Sequence, residues 1–387
     1  MAKVMTTGRP TNEVLAWSRE LVGPALRSAV ETLPLSMRRI AGYHFGWLDE
    51  YGREATADGG KAIRPALVLL AAEAVGGTPE PALPAAVAVE LVHNFSLLHD
   101  DVMDGDVTRR HRPTAWSVFG VSGAILAGDA LLTLAFDVLG AGGHPAAGEG
   151  SRVLGAAVLD LVEGQSSDTA FETRDDVGLS ECVSMAEGKT GALLGGACAL
   201  GALFGGGDAE QIEHLRGYGT RLGLAFQLVD DLLGIWGDPA ITGKPVYSDL
   251  RSRKKSLPVV AALTSNTPAG HELATLYHHP HPQPAAPLPT VHPADTGTSG
   301  PSGVGGSANG AAPVQAGDPV QAAERANADE LVRAAELIEA AGGRDWTRTR
   351  ADELLLEALA LLAAARPEPR PSAELGTLAR LVTHRDH

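Results

Sequence analysis

The fold of this 387-residue chain is decided by the stretch Val92-His93-Asn94-Phe95-Ser96-Leu97-Leu98-His99-Asp100-Asp101-Val102-Met103-Asp104, in which an apolar helical run ends in three aspartates. On a helix, Asp100 and Asp104 are four residues apart and therefore share one face. Carboxylates clustered beside buried apolar sequence are costly unless cations bind them. The stretch therefore predicts a core helix whose last turn is a cation site.

A second stretch has the same design. Residues 222–229 form an apolar run that ends in Asp230 and Asp231, and Asp238 follows on the same helix face as Asp231. All-oxygen carboxylate sites suit Mg²⁺, which keeps part of its water shell and completes its coordination with substrate phosphates. Either cluster alone could be a solvated helix end. Two of them at the ends of apolar helices predict facing walls that hold a diphosphate through bridging metal ions.

Basic residues stand beside both acidic clusters, as a diphosphate site requires. They form four compact groups: Lys61 with Arg64; Arg109 with Arg110 and Arg112; Lys189; and Lys244 with Lys254 and Lys255. The first group lies at a predicted helix start, where free backbone N–H groups also favour anions. Arginine can grip phosphate oxygens two at a time. Lysine and arginine are usually solvated surface groups, but their recurrence beside the acids argues for a binding site.

In this order and spacing the motifs resemble those of the trans-isoprenyl diphosphate synthases, also called polyprenyl synthetases, which join isopentenyl diphosphate to an allylic diphosphate. The resemblance runs from about residue 59 to residue 263 and resumes weakly near residue 326. It implies an all-α isoprenoid synthase fold, a single helical-bundle domain with a central active-site cavity. It also implies a Mg²⁺-dependent prenyltransferase, with about three ions, that works as a homodimer.

The resemblance assigns roles to single residues. The metal ligands would be Asp100, Asp101, Asp104, Asp230 and Asp231. Arg109, Lys189 and Lys244 would contact the allylic diphosphate, with Lys254 as a further substrate-binding residue; Lys61, Arg64, His93 and Arg110 would hold isopentenyl diphosphate. Thr190 and Gln227 match the positions that steady the carbocation and the proton loss.

Two positions depart from the family pattern. Gly234 replaces the third acid of the second motif, so one metal contact is either missing or supplied by water. Tyr247 stands where many relatives have glycine, and it could narrow the rim of the site. Both departures leave rate and metal affinity open.

Product length depends on the helix below Asp100. Each helical residue rises about 1.5 Å, so Ser96 lies one turn beneath Asp100, and Phe95 lies just below and to one side. In the resembling family, short C15 synthases often carry aromatic rings at both positions, whereas one common C20 class keeps only the ring at Phe95. The resemblance therefore predicts geranylgeranyl diphosphate, C20, with farnesyl diphosphate, C15, as the alternative.

Two other functions are less favoured. A class I terpene cyclase would need no site for a second diphosphate, and Lys61, Arg64 and the Arg109-Arg110 pair count against it. A non-catalytic partner subunit of a heteromeric prenyl synthase usually loses acids from both motifs, whereas this chain keeps most of them.

Composition predicts a soluble cytoplasmic enzyme. The net charge of −16 argues against a nucleic-acid partner, because phosphate backbones favour basic stripes. Cys182 and Cys198 provide neither a disulfide framework nor zinc spacing. The first ten residues do not resemble a signal peptide. The longest apolar run, residues 190–206, is shorter than the roughly 20 residues of a membrane span.

Helical patterns are predicted throughout, without strand signals. Helices are expected from residue 11 or 12 past Leu21, over 36–51, 63–75, 83–104, 116–140, 150–173 and 179–203, and again over 322–340 and 351–365. Residues 1–10 are predicted to be a disordered N-terminus, and 11–387 a single domain. Residues 278–321 are rich in proline, glycine and alanine and are predicted to be a disordered insertion.

Overall fold

A computed structural model describes residues 8–57, 60, 62–239, 245–278 and 319–383, without the side chains of residues 278 and 319–327. The first half contains α1 (Thr11–Glu31), α2 (Leu35–His44), α3 (Ile63–Ala74), α4 (Pro79–Met103), the strands β1 (Thr108–Arg109) and β2 (Arg112–Pro113), α5 (Ala115–Phe119), α6 (Val121–Ala141) and α7 (Ala147–Phe171).

The second half contains α8 (Leu179–Ala186), a π-helical turn (Glu187–Gly191), α9 (Ala192–Phe204), α10 (Ala209–Trp236), α11 (Ser248–Arg251), α12 (Leu257–Leu263), α13 (Pro268–His278), α14 (Pro319–Ala340), α15 (Gly343–Ala364) and α16 (Pro369–Thr383). Within the described residues the only regular strands are β1 and β2, which pair antiparallel. The predicted all-α fold is confirmed.

Two helices form the centre of the bundle. α4 is apolar on every side and packs against α1, α3, α6 and α9, as an all-round apolar helix must. α10 packs between α9 and α15. Each of these two helices ends in one of the acidic clusters. The core therefore positions both clusters at helix ends.

The structure differs from the sequence prediction where glycine changes the chain direction. The second helix ends at His44 and not near Tyr51, and Gly46 follows with φ of +80°. The predicted helix over 116–140 is broken at Gly120, also at φ +80°. Such positive φ angles suit glycine because it has no Cβ. The hairpin of β1 and β2 was not predicted.

The predicted disordered segments are only partly described. Residues 1–7 and 279–318 lie outside the described residues. Near the N-terminus, Arg9 donates three hydrogen bonds of 2.7–2.9 Å to Glu374 on α16. The predicted disorder therefore does not extend to Arg9. At the other segment, α14 already begins at Pro319.

Among the described residues, α4 and α6 are long and apolar enough to cross a membrane, judged by length and composition alone. In the fold, 72% of the apolar window of α4 is buried, but only 39% of that of α6. α4 is thus a core helix, and α6 leaves an apolar surface exposed.

Candidate active site

The first acidic cluster ends α4 in an environment that favours a cation. Asp101 is 1% exposed, and its Oδ1 accepts a 2.6 Å hydrogen bond from Nε of Arg109. Its Oδ2 is buried and has no hydrogen-bond partner. Burial raises the pKa of Asp101 to about 6, although Arg109 opposes this. Burial also raises the pKa of Asp100, whereas Asp104 is exposed at the helix C-cap.

The second acidic cluster ends α10 and is tied to α12. Asp231 is 5% exposed. Its Oδ1 accepts from Nε2 of Gln227 at 2.8 Å, and its Oδ2 accepts from the backbone N–H of Leu257 at 2.9 Å. Burial raises the pKa of Asp231 to about 7, although Lys254 opposes this. Asp230 is exposed beside it, and Asp238 is exposed beyond the helix C-cap.

Two lysines lie between the acidic clusters. Nζ of Lys189 donates to Oδ2 of Asp168 on α7 at 2.6 Å, and Nζ of Lys254 lies 3.9 Å from the same oxygen. Burial alone would lower the pKa of Lys254, but Asp168, Asp231, Asp249 and Asp104 raise it above its ordinary value. Because Asp104 belongs to the first cluster and Asp231 to the second, Lys254 lies within electrostatic reach of both.

The π-helical turn presents two successive functional side chains. Lys189 from this turn bonds Asp168, while Oγ1 of Thr190 donates to Oε1 of Gln227 at 2.6 Å. A hydrogen-bond chain therefore runs from Thr190 through Gln227 to Asp231. Wide turns of this kind inside α-helices are frequent at functional sites.

Glycines let three elements meet at this turn. A Cβ added at Gly164 on α7 would collide with the backbone nitrogen of Lys189. One added at Gly223 on α10 would lie 2.6 Å from Cα of Gly191. Real Cβ contacts are never this short, so α7, the π turn and α10 touch through their backbones.

A second basic group lies near the start of α3. Nη1 of Arg64 is 3.1 Å from Nε2 of His93. Burial lowers the pKa of His93 well below its ordinary value, with Arg64 and Arg110 adding to the effect, so the imidazole is neutral. Burial lowers the pKa of Arg64 to about 10, which leaves it charged at neutral pH. Lys61 and Lys244, both predicted site residues, lie outside the described residues.

Three residues near the site were missed by sequence reasoning: His44, Asp168 and Asp249. Nε2 of His44 is buried without a partner, and burial, together with Arg110 and Arg109, lowers its pKa to about 3. A small pocket lined by His44, Arg109 and Arg110 adjoins it. His44 lies far along the chain from the first acidic cluster, whereas Asp249 follows the second acidic cluster closely in sequence. For Asp168, the available sequence signal is Gln165 three residues earlier, which places two polar side chains on one helix face.

The two predicted chain-length residues are both buried. Phe95 is 6% exposed, and its ring packs edge-on against His99 with the ring centres 4.8 Å apart. Ser96 is 9% exposed, and its Oγ donates to the backbone carbonyl of His93 at 2.9 Å. Phe95 is also part of the main core cluster that surrounds α4.

The two departures from the family pattern have structural explanations. Tyr247 has φ of +62°, the left-handed conformation that glycine adopts without strain, which accounts for glycine at this position in the family pattern. At Gly234, the carboxylate of Asp249 lies beside the helix backbone, where an added Cβ would contact it. The interpretation of Gly234 as a metal contact that is missing or supplied by water stays a prediction.

The donor set fits Mg²⁺. Within the described ranges, no three histidine, cysteine, aspartate or glutamate side chains are already grouped as a metal site. The available donors are carboxylate oxygens at two helix ends, including the unpartnered Oδ2 of Asp101. Hard oxygen ligands of this kind suit Mg²⁺, which takes further ligands from water and phosphate.

Comparison with known proteins is consistent with this site. A family model described as "Polyprenyl synthetase" matches residues 46–287. The (2E,6E)-farnesyl diphosphate synthase of Mycobacterium tuberculosis (strain ATCC 25618 / H37Rv) is 54% identical over 266 residues, 69% of this chain and 74% of that protein. The geranylgeranyl diphosphate synthase of the same strain is 50% identical over 268 residues, 69% of this chain and 77% of that protein.

Solved structures are similar over nearly the full length. The crystal structure of a polyprenyl synthetase from Streptomyces coelicolor A3(2) has a TM-score of 0.81 at 44% identity, covering 96% of this chain and 98% of that one. A geranylgeranyl pyrophosphate synthase from Corynebacterium glutamicum, complexed with isoprenyl diphosphate and magnesium, has a TM-score of 0.73 at 25% identity, covering 98% of this chain and 100% of that one.

Proposed function

The chain belongs to the polyprenyl synthetase family and is a prenyltransferase that makes short-chain trans-prenyl diphosphates; on that premise, we propose that it condenses isopentenyl diphosphate with an allylic diphosphate to give geranylgeranyl diphosphate. The alternative product is farnesyl diphosphate. The activity of the family argues against a non-catalytic subunit. The two basic groups argue against a terpene cyclase, which needs no site for a second diphosphate.

One observation carries the condensation of two diphosphates: the two acidic helix ends share Lys254, and a second basic group lies nearby. Lys254 lies within electrostatic reach of both Asp104 and Asp231. Arg64 and Arg110 form another positive group beside the neutral His93. Two diphosphates need two such groups, whereas one diphosphate needs only the first.

Each part of the site has a task in this reaction. Bound Mg²⁺ supplies Lewis-acid chemistry that helps the allylic C–O bond ionise, and Asp100, Asp101, Asp104, Asp230 and Asp231 are the residues that would hold it. The magnesium-bound relative supports this choice of metal. Lys189, Lys254 and Arg109 neutralise the departing diphosphate. Lys61 and Lys244, which lie outside the described residues, keep their predicted roles as diphosphate ligands.

The residues around the reacting carbons position the second substrate. Arg64, Arg110 and the neutral His93 hold isopentenyl diphosphate, and His93 can donate a hydrogen bond without adding charge. The double bond of that substrate attacks the allylic cation, and a proton is then lost to the released diphosphate. Thr190 and Gln227, fixed by their 2.6 Å hydrogen bond, present oxygen atoms to the cation.

Product length tests the proposal. Purified protein is incubated with isopentenyl diphosphate, Mg²⁺ and each allylic primer, and the products are sized after removal of the diphosphate. We expect C20 as the main product. Ser96→Phe should shorten the product toward C15, because it adds a ring one turn below Asp100, and Phe95→Ala should lengthen it beyond C20. Identical products from both variants and the parent would show that residues other than Phe95 and Ser96 set the product length.

We also propose that the protein is a cytoplasmic homodimer in which α6 and α7 face a second copy. The exposed apolar side chains on these helices are Val121, Ile125, Leu126, Leu159 and Val162. Leu126 is 54% exposed and Leu159 is 72% exposed. A patch of large aliphatic side chains on neighbouring helices marks an interaction surface, and a second copy covers it with the same apolar chemistry.

Sedimentation velocity distinguishes this arrangement from a monomer. The double variant Leu126→Glu/Leu159→Glu should sediment as a monomer, because it buries two charges in the interface. Leu356→Glu on α15 is the control, since Leu356 is 68% exposed on another surface and its variant should remain a dimer. A monomeric parent, or a parent that floats with liposomes through this face, would reject the proposed interface.

A further inference from the structure

The carboxylate of Asp249 occupies the space beside Gly234. Gly234 is the fifth residue of the second acidic cluster, where the family pattern has a third acid. A Cβ added there would lie 2.5 Å from both Cγ and Oδ1 of Asp249 and would also contact Oδ2. A side chain at position 234 would therefore require the carboxylate of Asp249 to move.

We propose that Asp249 supplies the third carboxylate of the second acidic wall, in place of the acid that the helix lacks at Gly234. A short loop brings it there. Oγ of Ser248 donates to the carbonyl of Gly234 at 3.0 Å and to Oδ1 of Asp249 at 3.3 Å. The N–H of Tyr247 donates to the carbonyl of Ile235 at 3.3 Å. The loop is thus bound to the last turn of α10.

The charge environment of Asp249 is that of the diphosphate site. Asp249 acts together with Asp231, Asp168 and Asp104 on the ammonium of Lys254, and it adds to the repulsion felt by Asp231. It therefore adjoins the acids proposed to bind metal. A carboxylate on a bound loop can donate the same hard oxygens to Mg²⁺ as one on the helix.

The backbone conformation of Tyr247 is part of this arrangement. With φ of +62°, Tyr247 turns the chain two residues before Asp249 and is the N-cap residue of α11. A non-glycine residue in this conformation costs free energy, so the surrounding contacts must stabilise it. The hydrogen bonds from Tyr247 and Ser248 to α10 provide that stabilisation.

This inference rests on the metal role proposed for the second wall, and a binding experiment tests both separately. Binding of Mn²⁺ in the presence of inorganic diphosphate is measured by electron paramagnetic resonance of the free ion. Asp249→Asn should weaken binding at least about tenfold. Gly234→Ala should do the same without changing a charge, because its Cβ displaces the Asp249 carboxylate. Gly234→Asp combined with Asp249→Gly should restore most of the affinity.

Two controls define what the losses mean. Asp352→Asn, at an exposed residue on α15, should bind Mn²⁺ like the parent. Asp230→Asn should weaken binding, and an unchanged affinity there would reject the metal wall itself. Loss in Asp230→Asn without loss in Asp249→Asn and Gly234→Ala would reject the role of Asp249 alone. Circular-dichroism melting identifies any variant that does not fold, in which case the remaining variants decide.

Discussion

At the scale of single residues, Gln227 couples the π-helical turn to the second acidic cluster. Its Oε1 accepts from Thr190 and its Nε2 donates to Asp231, at 2.6 and 2.8 Å. The same carboxylate is fixed on its other oxygen by the backbone N–H of Leu257. The amide accepts through its oxygen and donates through its nitrogen, so the position of Asp231 depends on Gln227 as well as on Leu257.

Replacing Gln227 with methionine should therefore reduce kcat by about 10–100-fold while leaving KM for isopentenyl diphosphate within about threefold. The free energy of unfolding should fall by about 1–3 kcal/mol, because buried polar groups of Thr190 and Asp231 lose a partner. Steady-state kinetics and urea denaturation measure the two effects. Thr190→Val should lower the free energy of unfolding less in the Gln227→Met background than in the parent. Fully additive effects would show that Thr190, Gln227 and Asp231 do not act as one hydrogen-bonded unit.

At the scale of elements, sequence patterns predict the helices well and their interruptions poorly. Apolar patterns predict most of α4 and the second half of α10, and the aspartates follow these runs directly in sequence, because these features are local. The π turn at Glu187–Gly191 has no local signal, since it depends on backbone contact with Gly164 and Gly223 from other helices. The positions of His44 and Asp168 likewise depend on packing between distant segments.

The glycine contact can be tested within one helix. Gly164→Ala should lower the free energy of unfolding by about 1–3 kcal/mol, because its Cβ meets the backbone of Lys189. Gly155→Ala on the same helix is the control. Its Cβ would contact only the Phe136 ring, at 3.9 Å, so it should be neutral or stabilising by up to about 1 kcal/mol. Equal stability of the two variants in urea denaturation would contradict the close contact.

At the scale of the whole molecule, ion pairs join the two ends of the described fold. Arg9, before α1, bonds Glu374 on α16, and Arg370 joins the same glutamate to Glu73 on α3. The side chain of Glu374 is fully buried. Burial opposes its ionisation, but the hydrogen bonds from Arg9 outweigh this and lower the pKa of Glu374 below its ordinary value. The paired, ionised form is therefore the stable one.

Glu374→Gln should lower the free energy of unfolding at pH 7 by about 1–3 kcal/mol. Because the folded pKa is below the unfolded value of 4.5, this contribution is present above that pH and is lost as the pH falls through the folded pKa. The difference between parent and variant should therefore shrink below about pH 4 in chemical denaturation. Glu353→Gln, at an exposed ion pair with Arg350, is the control and should change little. A difference that grows in acid would contradict the assigned pKa direction.

The backbone contacts among α7, the π turn and α10 limit evolutionary change more strictly than the side-chain packing beneath Asp100 does. At Gly164 and Gly223 any added side chain would collide with the neighbouring backbone. Substitutions there therefore cannot change the spacing between Lys189 and the aspartates in small steps. The residues beneath Asp100 are ordinary side chains whose size can change one substitution at a time. Under the role proposed for Phe95 and Ser96, descendants of this chain can vary the length of their products while inheriting the diphosphate end of the catalyst unaltered.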